Sequence, residues 1–205
     1  RTINPRLVYM AISGFGTEGP LRRAPAYDPI IQAHSGMAAT QGGDDSPAFI
    51  RSLLCDKITA YTASQAVTSA LFARERSGEG QLIDLSMLDS GLFFMFPDGF
   101  QNHALLDEDA IPGGMLIDIL YDLTLTKDGS ITIAAASQEM QERMLKAIGL
   151  MHLLGDERFN TMQKLVENLQ IFRGLVAEKC LEYTSVELLA LLRKVQVPRA
   201  KCLNR

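Results

Sequence analysis

The sequence predicts an α/β fold in which part of a parallel-sheet lobe is followed by a smaller α+β lobe with a β-hairpin and helices. Three observations lead there. A short apolar run, Leu7 to Ile12, stops at glycines; residues 56–86 read as a helix followed by a strand; and Lys127-Asp128-Gly129 is a hairpin signal with helical periodicity beyond it. The chain has 205 residues, 47% of them hydrophobic, enough for one substantial core or for parts of two lobes.

The first strand follows Asn4-Pro5. Leu7-Val8-Tyr9-Met10-Ala11-Ile12 is uninterrupted and apolar, as a buried parallel strand would be, and Ser13-Gly14-Phe15-Gly16 turns it into a loop. Thr17 to Ala26 has no period and leads to a short helix from Tyr27 to His34, ended by Gly36. From Asp56 to Arg76 the pattern is helical, with Ala60, Ala63, Val67, Ala70 and Leu71 on one face, and residues this small imply close packing. A turn at Ser77-Gly78-Glu79-Gly80 gives the strand Gln81 to Ser86, and a helix from Met87 is expected to bend or end at Pro97-Asp98-Gly99.

The acidic segment Leu106 to Ile111 and Pro112-Gly113-Gly114 change the composition, which sets a boundary between lobes at 1–105 and 106–205. In the second lobe, Leu120 to Thr126 and Ser130 to Ala134 flank Asp128-Gly129, a pair that tolerates the positive φ of tight hairpin turns. Helices are expected over Gln138 to Ile148, ending at Gly149, and over Met162 to Leu181. A last helix opens on the capping box Thr184-Ser185-Val186-Glu187 and is closed by Pro198.

Composition excludes several partners. The net charge is −4 and the basic residues are scattered or paired with acids, so no stripe exists to neutralise a run of phosphates, and nucleic acid is not expected. The longest apolar stretch, Gly91 to Pro97, is far short of the ~20 residues a membrane span needs. Three widely separated cysteines, Cys55, Cys180 and Cys202, match neither a disulfide framework nor paired zinc ligands, which fits a reducing cytoplasm. No targeting segment is visible. The chain opens on Arg1 and enters structure at once, so the natural start is expected to lie upstream.

Among candidate chemical groups, Asp56 stands immediately before a helix. The plain reading is an N-cap that accepts a backbone N–H. The same position favours a carboxylate anion through the partial positive charge of the helix terminus, and an anionic aspartate is a usable nucleophile. Ser13 to Pro20 has neither the Lys-Ser/Thr ending of a phosphate loop nor a dinucleotide fingerprint, so a tight loop and a ligand contact both remain open there. His34, His103 and His152 are dispersed, and no metal site is expected. No Gly-x-Ser-x-Gly elbow occurs. Phe93, Phe94 and Phe96 read as core, and Tyr27 and Asp28, at the head of their helix, read as core and cap respectively, with substrate binding the alternative for Tyr27.

Two ordered stretches carry a more specific signal. The first is Asn4-Pro5-Arg6-Leu7-Val8-Tyr9, Ser13-Gly14-Phe15-Gly16, Gly19-Pro20, Tyr27-Asp28, Gln32-Ala33 and Ser35-Gly36. The second is Asp56, Ala70-Leu71 and Arg74-Glu75-Arg76-Ser77-Gly78-Glu79-Gly80-Gln81. Together they closely resemble the class III CoA-transferase family, also called CaiB/BaiF, which comprises CoA-transferases and α-methylacyl-CoA racemases. The resemblance covers roughly residues 4–90 strongly and the second lobe more loosely.

The resemblance implies an internal piece of a longer protein, whose large domain is Rossmann-like and draws much of its CoA site from the preceding half. It also implies an interlocked homodimer when full length, acyl-CoA and carboxylic acid substrates, and no permanently bound cofactor. Asp56 falls where the family has its catalytic aspartate, and Gly113-Gly114 falls near a glycine-rich loop that supplies oxyanion-stabilising N–H groups. Tyr27 occupies the position of a catalytic histidine in the racemases, and Ser137 that of their second acid. Racemisation needs a base and an acid on opposite faces of the α-carbon. The resemblance therefore favours transfer: Asp56 attacks the thioester, and an acyl anhydride and an aspartyl-CoA thioester follow. Racemase activity, or a catalytically incomplete piece with a structural role, are the alternatives.

Overall fold

The computed structural model describes residues 2–97 and 121–204. The chain divides into two compact units, Arg1–Pro112 and Gly113–Arg205. Both mix helices with small sheets.

In the first unit, β1 (Tyr9–Ser13) and β2 (Leu82–Ser86) pair in parallel, in a register running from Tyr9 opposite Leu82 to Ser13 opposite Ser86. Between them run α1 (Asp28–His34), α2 (Met37–Gly42) and α3 (Leu54–Ser77). The strand after Asn4-Pro5 is therefore parallel as expected but not buried, since Tyr9 and Ile12 are more than half exposed, as is Leu82 on the partner strand. α1 ends as predicted at Gly36, whose φ of 77° reverses the chain. The additional helix α2 starts immediately after it.

α3 is held at both ends by the segments that carry the family resemblance. At its C-terminus Gly78 (φ 78°) donates its N–H to the Arg74 carbonyl at 2.8 Å, closing the last turn. Gly80 then donates to the Pro5 carbonyl at 2.8 Å, and a Cβ at Gly80 would stand 2.0 Å from the Leu7 carbonyl oxygen. Only glycine admits that approach. Arg6 adds an exposed ion pair to Glu75 at 3.2 Å, of the kind that contributes little. The face that α3 buries starts from Cys55, Ile58 and Thr59 and continues through Ala63 and Ala70, whereas Ala60 and Leu71, expected on that face, point outward. α4 (Met87–Met95) is capped by the Ser86 hydroxyl, which accepts from the Asp89 N–H at 2.9 Å, and ends before Pro97. The core here joins Ile31, Met37, Cys55, Ile58 and Met95. Phe93, Phe94 and Phe96 do not fill it and are at least half exposed, because the buried side of α4 is Ser90, Gly91 and Met95.

The second unit is an antiparallel sheet in the order β3 (Asp122–Thr126), β4 (Gly129–Ile133), β5 (Arg199–Lys201), covered by α5 (Gln138–Ala147), α6 (Met162–Glu167), α7 (Leu169–Cys180) and α8 (Ser185–Lys194). A 3-10 helix, Met151–Gly155, follows α5. The hairpin forms, but neither Asp128 nor Gly129 takes a positive φ. Its turn is secured by side chains instead. The Asp128 carboxylate accepts from the Ser185 N–H at 2.6 Å and the Thr126 hydroxyl at 3.2 Å, and so also caps α8. The single helix expected over Met162 to Leu181 is two, separated at Asn168, whose side chain donates to the Lys164 carbonyl at 3.0 Å. The Thr184–Glu187 capping box is present. α8 turns at Gln196 (φ 55°) before Pro198, and the chain returns as β5, a strand whose three residues show no alternation. Ile131, Leu145, Ile148, Leu188, Leu192 and Val197 are fully or almost fully buried and form the centre of this core.

Two outcomes follow. Gly80→Ala forces a methyl into backbone and is expected to destabilise the chain by about 1–3 kcal/mol, read as a lower denaturant midpoint by circular dichroism; an unchanged midpoint contradicts the close approach. In the second unit, Arg158 holds Asp156 through side-chain and backbone hydrogen bonds, lowering its carboxyl from 3.8 to about 2, while Ser185 lowers Asp128 and Thr184 lowers Glu187. Because the folded values lie below the unfolded ones, this stabilisation is fully present above the ordinary carboxylate range and is lost as pH falls through the folded values. The thermal midpoint should therefore decline from roughly pH 5 toward pH 2, less steeply in Asp156→Asn, and identical slopes would refute this assignment.

Candidate active site

The site is built around the first turn of α3. The helix starts at Leu54, not after Asp56, so Asp56 is not the N-cap: Leu53 is, and Asp56 is the third residue of the helix. Such a residue keeps a backbone N–H that no helical carbonyl can satisfy. The partner comes from another helix. The Asp56 N–H donates to Asp28 Oδ2 at 3.1 Å, and Asp28, at the start of α1, is 2% exposed. Asp28 thus caps α3 from outside it, a role not foreseen for a residue read as a cap of its own helix.

Gln32, one turn along α1, completes the arrangement. Its Nε2 donates to Asp28 Oδ1 at 2.5 Å and to the Ser52 carbonyl at 3.1 Å, and its Oε1 accepts from the Ile50 N–H at 3.0 Å. Every polar end of this buried pair is therefore satisfied. The readable signal was the i, i+4 spacing of Asp28 and Gln32 in a helix otherwise made of Pro29, Ile30, Ile31, Ala33 and His34.

The carboxylate of Asp56 itself faces solvent, and no side chain among the described residues pairs with it. Its neighbours are engaged elsewhere. Lys57 Nζ donates to Ser52 Oγ at 2.9 Å and the Leu53 carbonyl at 3.2 Å. Cys55 is fully buried, and burial with the nearby Asp28 and Asp56 charges raises its thiol to about 11. What remains is an accessible carboxylate at the positive end of a 24-residue helix.

Tyr27 precedes Asp28 and is 76% exposed, so it fills no core; its carbonyl accepts from the Ile30 N–H at 2.9 Å. Asp56 and Tyr27 thus belong to two helix heads joined through Asp28. Ser137 lies in the second unit, where its hydroxyl accepts from the Met140 N–H at 3.2 Å and caps α5. Gly113 and Gly114 lie outside the described residues. The loop after β1 is tied to itself and to β2: Gly16 donates to Ser13 Oγ at 3.0 Å, and Thr17 Oγ1 donates to Asp84 at 2.6 Å. His34 packs edge-on against Phe15 with ring centres 5.1 Å apart. Among the described residues no group of three or more His, Cys, Asp or Glu is arranged to hold a metal ion, and no helix is long and apolar enough to cross a membrane.

A cavity of about 150 Å³ lies against the start of α3, lined by Met37, Ile50, Leu54, Phe94 and Met95, and Asp56 does not line it. Another, of about 120 Å³, is confined to the second unit, with Met144, Leu165, Phe172 and Val176 in its wall.

The ordered glycines and the helix head bearing Asp56 belong to the segments that carry the resemblance to one protein class. The family model for CoA-transferase family III matches residues 1–205, and the chain belongs to that family. It is similar to the acetyl-CoA:oxalate CoA-transferase of Acetobacter aceti, at 30% identity over 96% of this chain and 51% of that protein. It is also similar to the succinate–glutarate CoA-transferase of Agrobacterium fabrum, at 28% identity over 97% and 50%. Among solved structures it resembles a CaiB/BaiF family protein from Brucella suis, with a TM-score of 0.79 and 29% identity over 100% of this chain and 54% of that one. The chain spans about half the length of these relatives.

The buried thiol gives a direct check on the core beneath the site. Iodoacetamide at neutral pH is expected to label exposed Cys202 and to spare Cys55 until the chain is denatured; rapid native labelling of Cys55 by peptide mass spectrometry would contradict this packing.

Proposed function

We propose that the full-length protein is an acyl-CoA:carboxylate CoA-transferase in which Asp56 is the nucleophile. The observation that carries this reading is the solvent-facing, unpaired carboxylate in the first turn of α3, in a chain of this family. An Asp56 oxygen attacks the acyl-CoA carbonyl, forming an Asp56–acyl anhydride and expelling CoA thiolate. The thiolate attacks the Asp56 carbonyl of the anhydride, releasing the donor carboxylate and leaving an aspartyl-CoA thioester. The acceptor carboxylate then attacks that thioester and expels the thiolate again. Finally the thiolate attacks the acceptor carbonyl of the new anhydride, which yields acceptor acyl-CoA and restores the Asp56 carboxylate.

Tyr27, exposed beside Asp28, is a substrate contact in this scheme. CoA and the carboxylic acids are substrates, and no resident cofactor takes part. Residues 1–105 form the central part of a Rossmann-like large domain with the catalytic helix, and 106–205 the linker and small domain. The complete protein is a cytoplasmic, interlocked homodimer. Exposed apolar side chains on β1, β2 and α4, among them Tyr9, Leu82 and Phe93, support a larger buried assembly.

Asp56→Asn in the full-length enzyme is expected to abolish CoA exchange by at least ~10³-fold while CoA binding persists in calorimetry. Exchange at the wild-type rate would sink the proposal. Deuterium incorporation at the α-carbon of a 2-methylacyl-CoA without CoA exchange would favour racemisation instead.

A further inference from the structure

We propose that Gln32 is a positioning residue for Asp56, acting through the buried Asp28 carboxylate and the chain at residues 50–52; the inference rests on Asp56 being the nucleophile. Gln32 is 2% exposed and does not line the cavity at the start of α3. Its amide spans two things that must stay in register. On one side Nε2 fixes Asp28 Oδ1 at 2.5 Å, while the other oxygen of the same carboxylate receives the Asp56 N–H at 3.1 Å. On the other side Oε1 holds the Ile50 N–H at 3.0 Å, and Nε2 reaches the carbonyls of Ser52 at 3.1 Å and Ile50 at 3.4 Å. The segment so held delivers the chain into α3, whose cap residue is Leu53.

Only a group with donors and an acceptor at one end satisfies this set. A hydrocarbon of equal length leaves one oxygen of a buried carboxylate and a buried N–H unpaired, and buried polar groups move or hydrate sooner than stay so. Either response shifts Asp28, and with it the main chain from which the Asp56 carboxylate projects. A misplacement of ~1 Å in a reacting group reduces turnover by up to ~100-fold, and substrate binding stays largely intact. The signature of Gln32 is therefore a fall in kcat at nearly constant KM.

The test uses the full-length enzyme, wild type and Gln32→Met or Gln32→Glu, with acetyl-CoA and succinyl-CoA, the donors in the names of two relatives. Active sites are counted by mass spectrometry of CoA bound covalently to the Asp56 peptide, and rates are expressed per counted site. The expected result for both variants is a ~10–100-fold lower kcat per site and a KM within ~3-fold of wild type. Fewer counted sites at the wild-type rate per site would mean a purely structural role and would overturn the proposal. No adduct on wild-type Asp56 with either donor would remove the nucleophile itself, a failure distinct from that of Gln32 alone. Should neither variant fold, amide hydrogen exchange of the wild-type protein decides: Ile50 and Asp56 are expected to exchange at least ~100-fold more slowly than an open loop, and open-loop rates at either would overturn the clamp.

Discussion

The hydrogen bond from the Asp56 N–H to Asp28 carries more of this structure than its 3.1 Å suggests. A helix start leaves N–H groups unsatisfied, and here one of them is satisfied by a carboxylate from a different helix. α1 and α3 are thereby tied at their heads. The cost of burying Asp28 is offset because both its oxygens receive donors, one from main chain and one from Gln32. Remove either donor and a nearly buried charge is left short, which makes the arrangement strict where an ordinary side-chain cap would be forgiving.

The opposite end of α3 is equally constrained, by steric means. Gly78 closes the helix and Gly80 passes against Pro5 and Leu7, so that β1 and β2 begin in register. The segments that make the family recognisable are thus mainly the two mountings of one helix.

Several parts of this arrangement were legible in the sequence for physical reasons. The Gly36 and Gly149 stops and the Thr184–Glu187 box depend on local chemistry, which a linear reading captures, and the strands of the parallel pair and of the hairpin were legible as separate elements. The exact start of α3 was not, because the carboxylate that accepts its Asp56 N–H lies 28 residues before Asp56, which has the side chain of an N-cap without the position of one. Phe93, Phe94 and Phe96 were misread as core since hydrophobicity alone does not say which side of α4 is covered; Ser90 and Gly91, small enough to let α1 approach, occupy the buried side. The Asp128-Gly129 turn formed without a positive φ because hydrogen bonds from Ser185 and Thr126 secure it. Of the candidate site, Asp56 was proposed through family resemblance, while Gln32 entered only as one letter of that resemblance.

The main chain of Asp56 is anchored and its carboxylate is not. In the proposed exchange that carboxylate is bonded in turn to an acyl group, to sulfur and to a second acyl group, and a side chain held by its own hydrogen bonds would have to release and regain them at each stage. Tying only the peptide amide gives a fixed pivot with a free rotor. One residue then presents its carbonyl to successive partners from a single origin, and the swing between them requires nothing more than rotation about its own side-chain bonds.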